Sequence, residues 1–244
     1  MSLKLGINLT KYHSINFDLP KRNKKKIIYI ILHYTGMKNE IRAIERLCDF
    51  KSKVSSHYFV KSNGKVLNLI PDLYTAWHAG VSKWKKFKSL NNYSIGIEIS
   101  NPGHDYGYKK FSSKQILSII KLLQFLIRKY KIKKQNILGH SDIAPNRKKD
   151  PGEKFPWKRL AKKNLCKWHN LYDNKIREKR NLKLKINDEK TFFSNLYEIG
   201  YPITKNKNEK INLTKAFQRR FRQNLINGKI DQECLLISKN LINS

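Results

Sequence analysis

The sequence has few acidic residues, and this shortage sets its electrostatic character. Asp and Glu number 18 against 52 Lys and Arg in 244 residues, which gives a formal net charge of +34. Such a positive field attracts polyanions, among them nucleic acids, anionic membrane surfaces and acidic cell-wall polymers. Because the basic residues are scattered through every segment and form no single stripe, the charge alone identifies no partner.

Cysteines and long apolar runs are also scarce. Cys48, Cys166 and Cys234 lie far apart and form no C-x-x-C pair, which excludes a disulfide framework and favours free thiols in a reducing compartment. No stretch approaches the roughly 20 apolar residues of a membrane span. The polar leader at residues 1–26 has no apolar run of signal-peptide length. The expected compartment is the cytoplasm, although a wall-binding function would favour the envelope.

Apolar patterns predict an α/β core in residues 27–166. The unbroken β-branched run at 27–32 predicts a buried strand that ends at His33. In Ser94–Ile99 the isoleucines alternate with other residues, which predicts a second strand with Glu98 pointing away from the isoleucine face.

Further elements complete a mixed central sheet flanked by helices. A long helix is predicted over 112–130, since its apolar residues recur at helical spacing behind a capping serine. A short helix is predicted at 41–50 and a short strand at 136–138. Between them, residues 57–70 predict a hairpin with a two-residue turn at Asn63 and Gly64.

The C-terminal part predicts a small all-α domain. Residues 167–188 are rich in Lys, Arg and Asn and predict a linker. Residues 189–244 follow as the helical domain, with helices predicted at 189–199, 212–225 and 231–241. In the second of these helices, apolar residues recur every four positions and predict a buried stripe; they are Leu213, Phe217, Phe221 and Leu225.

Two histidines and an aspartate have the chemistry of a catalytic zinc site. His33, His140 and Asp150 each follow a predicted strand or end one, so they can converge at one edge of the sheet. Catalytic zinc takes three such protein ligands and keeps a fourth position open. The alternatives are hydrogen-bonded structural histidines and a turn-forming Asp before Pro151. Asp142 is expected to cap a turn beside His140.

Six short motifs follow one another across residues 27–165. They are ILHYTG at 31–36, SSHYFV at 55–60, AWHAG at 76–80, SIGIEI at 94–99, GHSDIAP at 139–145 and RKKDPG at 147–152. In this order they closely resemble the zinc-dependent N-acetylmuramoyl-L-alanine amidases of the AmpD and AmiD type, which are related to peptidoglycan recognition proteins. The FPW run at 155–157 and the C-terminal helices look most like the AmiD branch.

The resemblance implies a reaction and its catalytic residues. The reaction is zinc-dependent hydrolysis of the amide bond between N-acetylmuramic acid and L-alanine, in peptidoglycan or anhydro-muropeptides, during wall degradation or recycling. It implies that His33, His140 and Asp150 hold Zn²⁺. The family's catalytic acid falls on Glu98, which can act as base and then acid, and its lysine falls on Lys148, which can stabilise an oxyanion.

Four other positions match the family more weakly. Trp77, His78 and Asn91 are interpreted as substrate-binding residues, and His57 as a support of the cleft. Buried packing is an equal alternative for Trp77. The alternative for Lys148 is one more lysine of a basic loop.

The C-terminal helices and the protein as a whole keep alternative interpretations. AFQRRF at 216–221 resembles a peptidoglycan-binding module, although Arg219, Arg220 and Arg222 also suit nucleic acid, and a packing role is open. A non-catalytic peptidoglycan-recognition protein and a nucleic-acid-binding protein are the alternatives to the enzyme. Since no zinc ligand of the family pattern is missing, we expect an enzyme. We also expect a monomer and no nucleic-acid partner. His169 is expected at the surface.

Overall fold

The computed structural model describes residues 7–8 and 12–243, and ten strands occur among them. Residues 1–6 and 9–11 of the predicted leader, and Ser244, lie outside the described residues. The strands are β1 (Ile7–Asn8), β2 (Phe17–Asp18), β3 (Tyr29–Tyr34), β4 (Tyr58–Val60), β5 (Val66–Asn68), β6 (Thr75–Ala76), β7 (Lys83–Trp84), β8 (Phe87–Lys88), β9 (Ser94–Ile99) and β10 (Ile137–Gly139).

The main sheet has six strands in the order β1-β5-β4-β9-β3-β10. Strand β3 runs parallel to both of its neighbours, β9 and β10, whereas β4 and β5 are antiparallel. The predicted mixed sheet is therefore confirmed. In this register His33 lies opposite Glu98, and Leu32 lies opposite Gly139, the residue before His140. Parallel pairing thus brings the carboxyl ends of three strands, with their polar residues, to one edge of the sheet.

Eight α-helices occur in the described part of the chain. The longest, α2, begins with a capping box in which the Ser112 side chain and the Gln115 side chain each bind the other's backbone N–H. The helices are α1 (Glu40–Cys48), α2 (Ser113–Tyr130), α3 (His140–Ile143), α4 (Trp157–Ala161), α5 (Asp173–Arg177), α6 (Asp188–Ile199), α7 (Lys207–Phe221) and α8 (Gln232–Ile242). None is long and apolar enough to cross a membrane.

The sheet is covered on both faces. Helix α2 packs on the face formed by Ile30, Leu32 and the isoleucines of β9. On the other face, Ile31 and Leu138 share one hydrophobic cluster with residues of α6, α7 and α8. Phe217 and Phe221, predicted as core, lie in that cluster. The C-terminal helices and the sheet therefore have a common core.

Three local predictions differ from the structure. The hairpin between β4 and β5 turns through three residues, 62–64, because Gly64 alone takes the positive φ of +85° and Lys61 N–H bonds to the Lys65 carbonyl. The predicted linker, 167–188, contains helix α5, in which Ile176 is buried. His169 of the same segment, expected at the surface, is 94% buried; its ring stacks on Trp168, which packs against Phe221 at the end of α7.

Candidate metal centre and active site

Three buried ligand atoms converge at the carboxyl edge of the sheet. His33 Nδ1 lies 2.9 Å from His140 Nδ1, and Asp150 Oδ2 lies 3.0 Å from each of these nitrogens. His33 comes from β3, His140 opens α3, and Asp150 lies in the following loop. Ser141 N–H donates to the Asp150 carbonyl at 2.9 Å and so ties that loop to α3. The structure brings together the three residues predicted as zinc ligands.

The far nitrogen of each histidine is fixed by a hydrogen bond. His140 Nε2 lies 3.1 Å from the Ala79 carbonyl oxygen. A carbonyl only accepts, so Nε2 carries the proton and His140 Nδ1 presents a lone pair toward the centre.

For His33 the proton order follows from a chain of three contacts. Ser94 Oγ donates its one proton to the Leu90 carbonyl at 2.6 Å, so it accepts from His78 Nε2 at 3.1 Å. His78 Nδ1 is then an acceptor, and His33 Nε2 donates to it across 3.1 Å. His33 Nδ1 therefore also presents a lone pair, 2.9 Å from that of His140.

This arrangement fits a zinc ion. Two lone pairs and a carboxylate oxygen facing one point repel each other unless a cation lies between them. Burial and the neighbouring His140 lower the pKa of His33 to about 4, so its imidazole is neutral at physiological pH. Two neutral imidazoles and one carboxylate are a common zinc donor set.

Glu98 lies beside the centre on β9. Burial and the Asp150 carboxylate raise the pKa of Glu98 well above its ordinary value, while Lys148 acts in the opposite direction. Its buried Oε2 has no hydrogen-bond partner among the described residues. A carboxyl with a raised pKa and a free oxygen is suited to exchange a proton with a bound molecule.

A cleft of about 450 Å³ opens over Glu98 and two of the three ligand residues, His140 and Asp150. Trp77, His78 and Lys148, all predicted site residues, line it. The Trp77 ring is half-buried, and its Nε1 donates to Asp18 Oδ1 at 2.7 Å. The half-buried Lys148 places an ammonium group at the same wall. Trp84 packs edge-on against Tyr201, away from the cleft.

Asn91 and His57 lie behind the cleft wall. Asn91 Oδ1 accepts from the backbone N–H groups of His78 and Ala79 at 3.1 and 2.7 Å, so it holds the loop that carries His78. Its contact with substrate stays a prediction. His57 is fully buried; its Nδ1 accepts from Gly96 N–H at 3.0 Å, and its Nε2 donates to the Tyr74 carbonyl at 3.0 Å. These contacts agree with a supporting role for His57.

Two contributors to the site could not be recognised from the sequence. Arg147 lines the cleft and donates to the carbonyls of Ala79 and Val81, which fixes the loop above His140. Asp142 caps its own turn through Gly139 N–H, as expected. It is also completely buried and bonds to side chains of the C-terminal helical part, because that part packs directly on α3. The motif GHSDIAP contains Asp142, but no local pattern shows what it contacts.

A buried two-histidine, one-carboxylate cluster beside a glutamate, at the edge of a mixed sheet, has the donor set of a metal-dependent hydrolase. Comparison with known proteins identifies which kind. The family model for N-acetylmuramoyl-L-alanine amidase matches residues 23–153. The N-acetylmuramoyl-L-alanine amidase AmiD of Escherichia coli K12 is 33% identical over 231 residues, which cover 89% of this chain and 83% of AmiD.

Solved structures agree. AmiD of E. coli, in complex with the substrate anhydro-N-acetylmuramic acid-L-Ala-D-γ-Glu-L-Lys, is similar with a TM-score of 0.80 and 31% identity, covering 93% of this chain and 92% of that one. AMPDH3 from Pseudomonas aeruginosa, in complex with anhydromuramic pentapeptide, has a TM-score of 0.78 and 27% identity, covering 97% of both chains. The chain belongs to the N-acetylmuramoyl-L-alanine amidase family, and the predicted family, fold and amidase activity are confirmed.

Proposed function

We propose that this protein is a zinc-dependent amidase that cleaves the bond between the lactyl group of N-acetylmuramic acid and L-alanine. The observation that carries the proposal is the convergence of the ligand atoms of His33, His140 and Asp150 beside Glu98. Zinc held there supplies a Lewis acid that polarises the scissile carbonyl and lowers the pKa of water.

Glu98 moves the proton in this mechanism. It takes a proton from the attacking water and passes it to the amine of L-alanine as the amide bond breaks. Its raised pKa favours the second step, because a carboxyl that keeps its proton near neutral pH can act as the acid. The nearby Lys148 partly offsets that rise and so favours the first step.

Lys148 and the ring side chains hold the substrate. The ammonium of Lys148 stabilises the oxyanion of the tetrahedral intermediate. Trp77 and His78 form the wall along which the sugar and the first peptide bond lie. Arg46, Arg147 and Lys149 add positive charge around the cleft, which attracts the carboxylates of the stem peptide.

We propose anhydro-muramyl peptides as substrates, and peptidoglycan-derived fragments more broadly. The support is the similarity to AmiD and AMPDH3, each solved with an anhydromuramic peptide bound. Digestion of purified anhydro-muropeptides and of intact sacculi in parallel, with release of free stem peptide as the readout, separates soluble from polymeric substrates.

The experiment for the function itself combines metal analysis with muropeptide digestion. We expect about one zinc per chain, loss of activity on chelation, and recovery on addition of zinc. His140→Ala should abolish both metal binding and cleavage. A purified protein that cleaves without metal, or that stays active as His140→Ala, would contradict the mechanism.

The charge-based alternative, nucleic-acid binding, is disfavoured by two of the three arginines that suggested it. Arg220 and Arg222 are both 97% buried and are paired with Asp142 and Asp231. They are therefore not available to contact a phosphate backbone.

A further inference from the structure

The C-terminal helical part reaches the metal site through a buried carboxylate, Asp142, which lies two residues after His140. We propose that Tyr201 and Arg220 are positioning residues for the zinc ligand His140 and act on it through Asp142. The proposal rests on the amidase function above and goes beyond it, because it gives the C-terminal helices a part in catalysis that does not require them to bind the wall.

The carboxylate of Asp142 is shared between two parts of the chain. Its Oδ2 accepts from Gly139 N–H at 2.8 Å and from Arg220 Nη1, and its Oδ1 accepts from Tyr201 OH at 2.8 Å. Gly139 and Asp142 lie on either side of His140 in the sequence. The carboxylate therefore fixes the backbone before and after the ligand, and its own position depends on two side chains from the C-terminal part.

Arg220 also holds the strand that leads to His140. Its Nη2 donates to the Ile137 carbonyl at 2.9 Å, and its guanidinium lies 4.4 Å from the Trp157 ring centroid. One side chain of α7 thus bridges the first residue of β10 and the middle of α3. Because a guanidinium is planar and carries several fixed donors, it can satisfy both acceptors at once, as a lysine cannot.

The second ligand loop is packed against the same point. A Cβ on Gly139 would meet Pro151 Cδ at 2.7 Å and Trp157 Cζ2 at 3.3 Å. The chain segment after Asp150 therefore lies directly on Gly139, and Ser141 N–H bonds to the Asp150 carbonyl. A shift of Gly139 would move His140 and Asp150 together.

Burial makes these contacts hard to replace. Asp142 is completely buried, and Tyr201 and Arg220 are each 97% buried. Removing one member of such a group leaves the others in the core without water to compensate them, so the local backbone must rearrange. Partners of ligand residues tune metal affinity and activity in this way, typically by 10- to 100-fold.

The test uses full-length protein and a matched pair of arginine variants. Arg220→Met removes the contact to Asp142. Arg222→Met removes the buried guanidinium of the residue directly after α7, whose partners, Asp231 and Glu233, lie wholly within the C-terminal part. Zinc affinity is measured by competition with a chromophoric chelator. The kinetic constants kcat and KM are measured with a soluble anhydro-muropeptide, and thermal unfolding is followed on the metal-free protein.

We expect Arg220→Met to weaken zinc binding about tenfold or more and to lower kcat, with KM little changed. Arg222→Met should lower the unfolding temperature but keep its zinc affinity within about twofold. Tyr201→Phe, which keeps the ring volume, should weaken zinc binding less than Arg220→Met, and Arg220→Lys should recover only part of the loss.

Equal zinc affinity in the two arginine variants, at whatever stability, would overturn the proposal. If Arg220→Met does not fold, Tyr201→Phe decides, and zinc affinity and kcat unchanged from those of the unmutated protein would overturn the proposal as well. Failure of the proposed function looks different, because the unmutated protein would then bind no zinc or cleave no muropeptide.

Discussion

The Nε2 atom of His33 lies 3.1 Å from the Nδ1 atom of His78, and this contact sets which nitrogen of His33 faces the metal centre. The order of protons runs in one direction, from His33 through His78 and Ser94 to the Leu90 carbonyl. A ligand histidine is held in this way when its other nitrogen donates to a fixed acceptor. His78 therefore has a defined task in addition to any contact with substrate.

Replacing His78 by Phe should weaken zinc binding while keeping an aromatic ring in the cleft wall. The ring volume is kept, but His33 Nε2 loses its acceptor, so the orientation and basicity of the ligand change. We expect zinc affinity to fall about 10-fold, and the absorption spectrum of the cobalt-substituted protein to change.

Trp77→Phe is the control for His78→Phe, because Trp77 lines the same cleft without touching His33. It should alter KM for the muropeptide while leaving zinc affinity and the cobalt spectrum in place. An equal loss of zinc affinity in both variants would show that zinc affinity depends on the cleft wall in general and not on the His33–His78 contact.

Gly96 is required on β9 by the same histidine. A Cβ there would lie 2.4 Å from His78 Cγ, closer than real Cβ contacts. We expect Gly96→Ala to destabilise the protein by about 1–3 kcal/mol, the usual cost of overpacking, and to reduce activity because His78 must move. Urea denaturation measures the first effect and muropeptide cleavage the second.

A double-mutant cycle identifies the cause of that loss. With His78→Ala the ring is gone, so adding Gly96→Ala should then cost little further stability. An equal cost of Gly96→Ala with and without the His78 ring would mean that the glycine is needed for another reason.

The sequence was enough to predict the elements that carry the site. Alternation in Ser94–Ile99 placed Glu98 opposite the isoleucine face, and the unbroken apolar run before His33 predicted the central strand. Both predictions depend only on side-chain periodicity along one segment, which the chain shows locally. The convergence of the three ligands was plausible for the same reason, since parallel strands end at a common edge.

Contacts between distant segments could not be predicted. Asp142 and Arg220 are 78 residues apart, and nothing near either residue indicates the other. Arg220 was considered for nucleic acid because charge on a short helix usually faces solvent, yet α7 packs that side onto the sheet. Asn91 also holds the loop of His78 and Ala79 through its side-chain oxygen, a contact that no local pattern indicates.

The stability of the metal-free protein should fall in mild acid because of His57. Burial and the nearby Arg22 lower the pKa of His57 to about 3, against about 6.5 in an unfolded chain. Between these values the unfolded state binds the extra proton, so stability is fully present above pH 6.5 and is lost as the pH falls toward 3. The slope approaches about 1.4 kcal/mol per pH unit for this one group.

Urea unfolding of the chelator-treated protein from pH 7 to pH 4.5 measures this slope. His57→Asn keeps an acceptor for Gly96 N–H but does not titrate in this range, so it should flatten the profile even though it lowers stability at pH 7. A slope that persists undiminished in His57→Asn would assign the acid sensitivity to other groups.

Lys148 and Lys149 are neighbours in sequence, and both line the cleft, so the pair separates a catalytic lysine from general positive charge. If Lys148 stabilises the oxyanion, Lys148→Met should lower kcat about 100-fold or more with little change in KM. Because Lys148 lowers the pKa of Glu98, its removal should also move the acidic limb of the kcat/KM profile to higher pH.

Lys149→Met should leave kcat and that limb near their original values, with at most a modest rise in KM from the weaker positive field. Steady-state cleavage of a soluble anhydro-muropeptide from pH 5 to pH 9 measures all of these quantities, and similar kcat losses in the two variants would remove Lys148 from its assigned role.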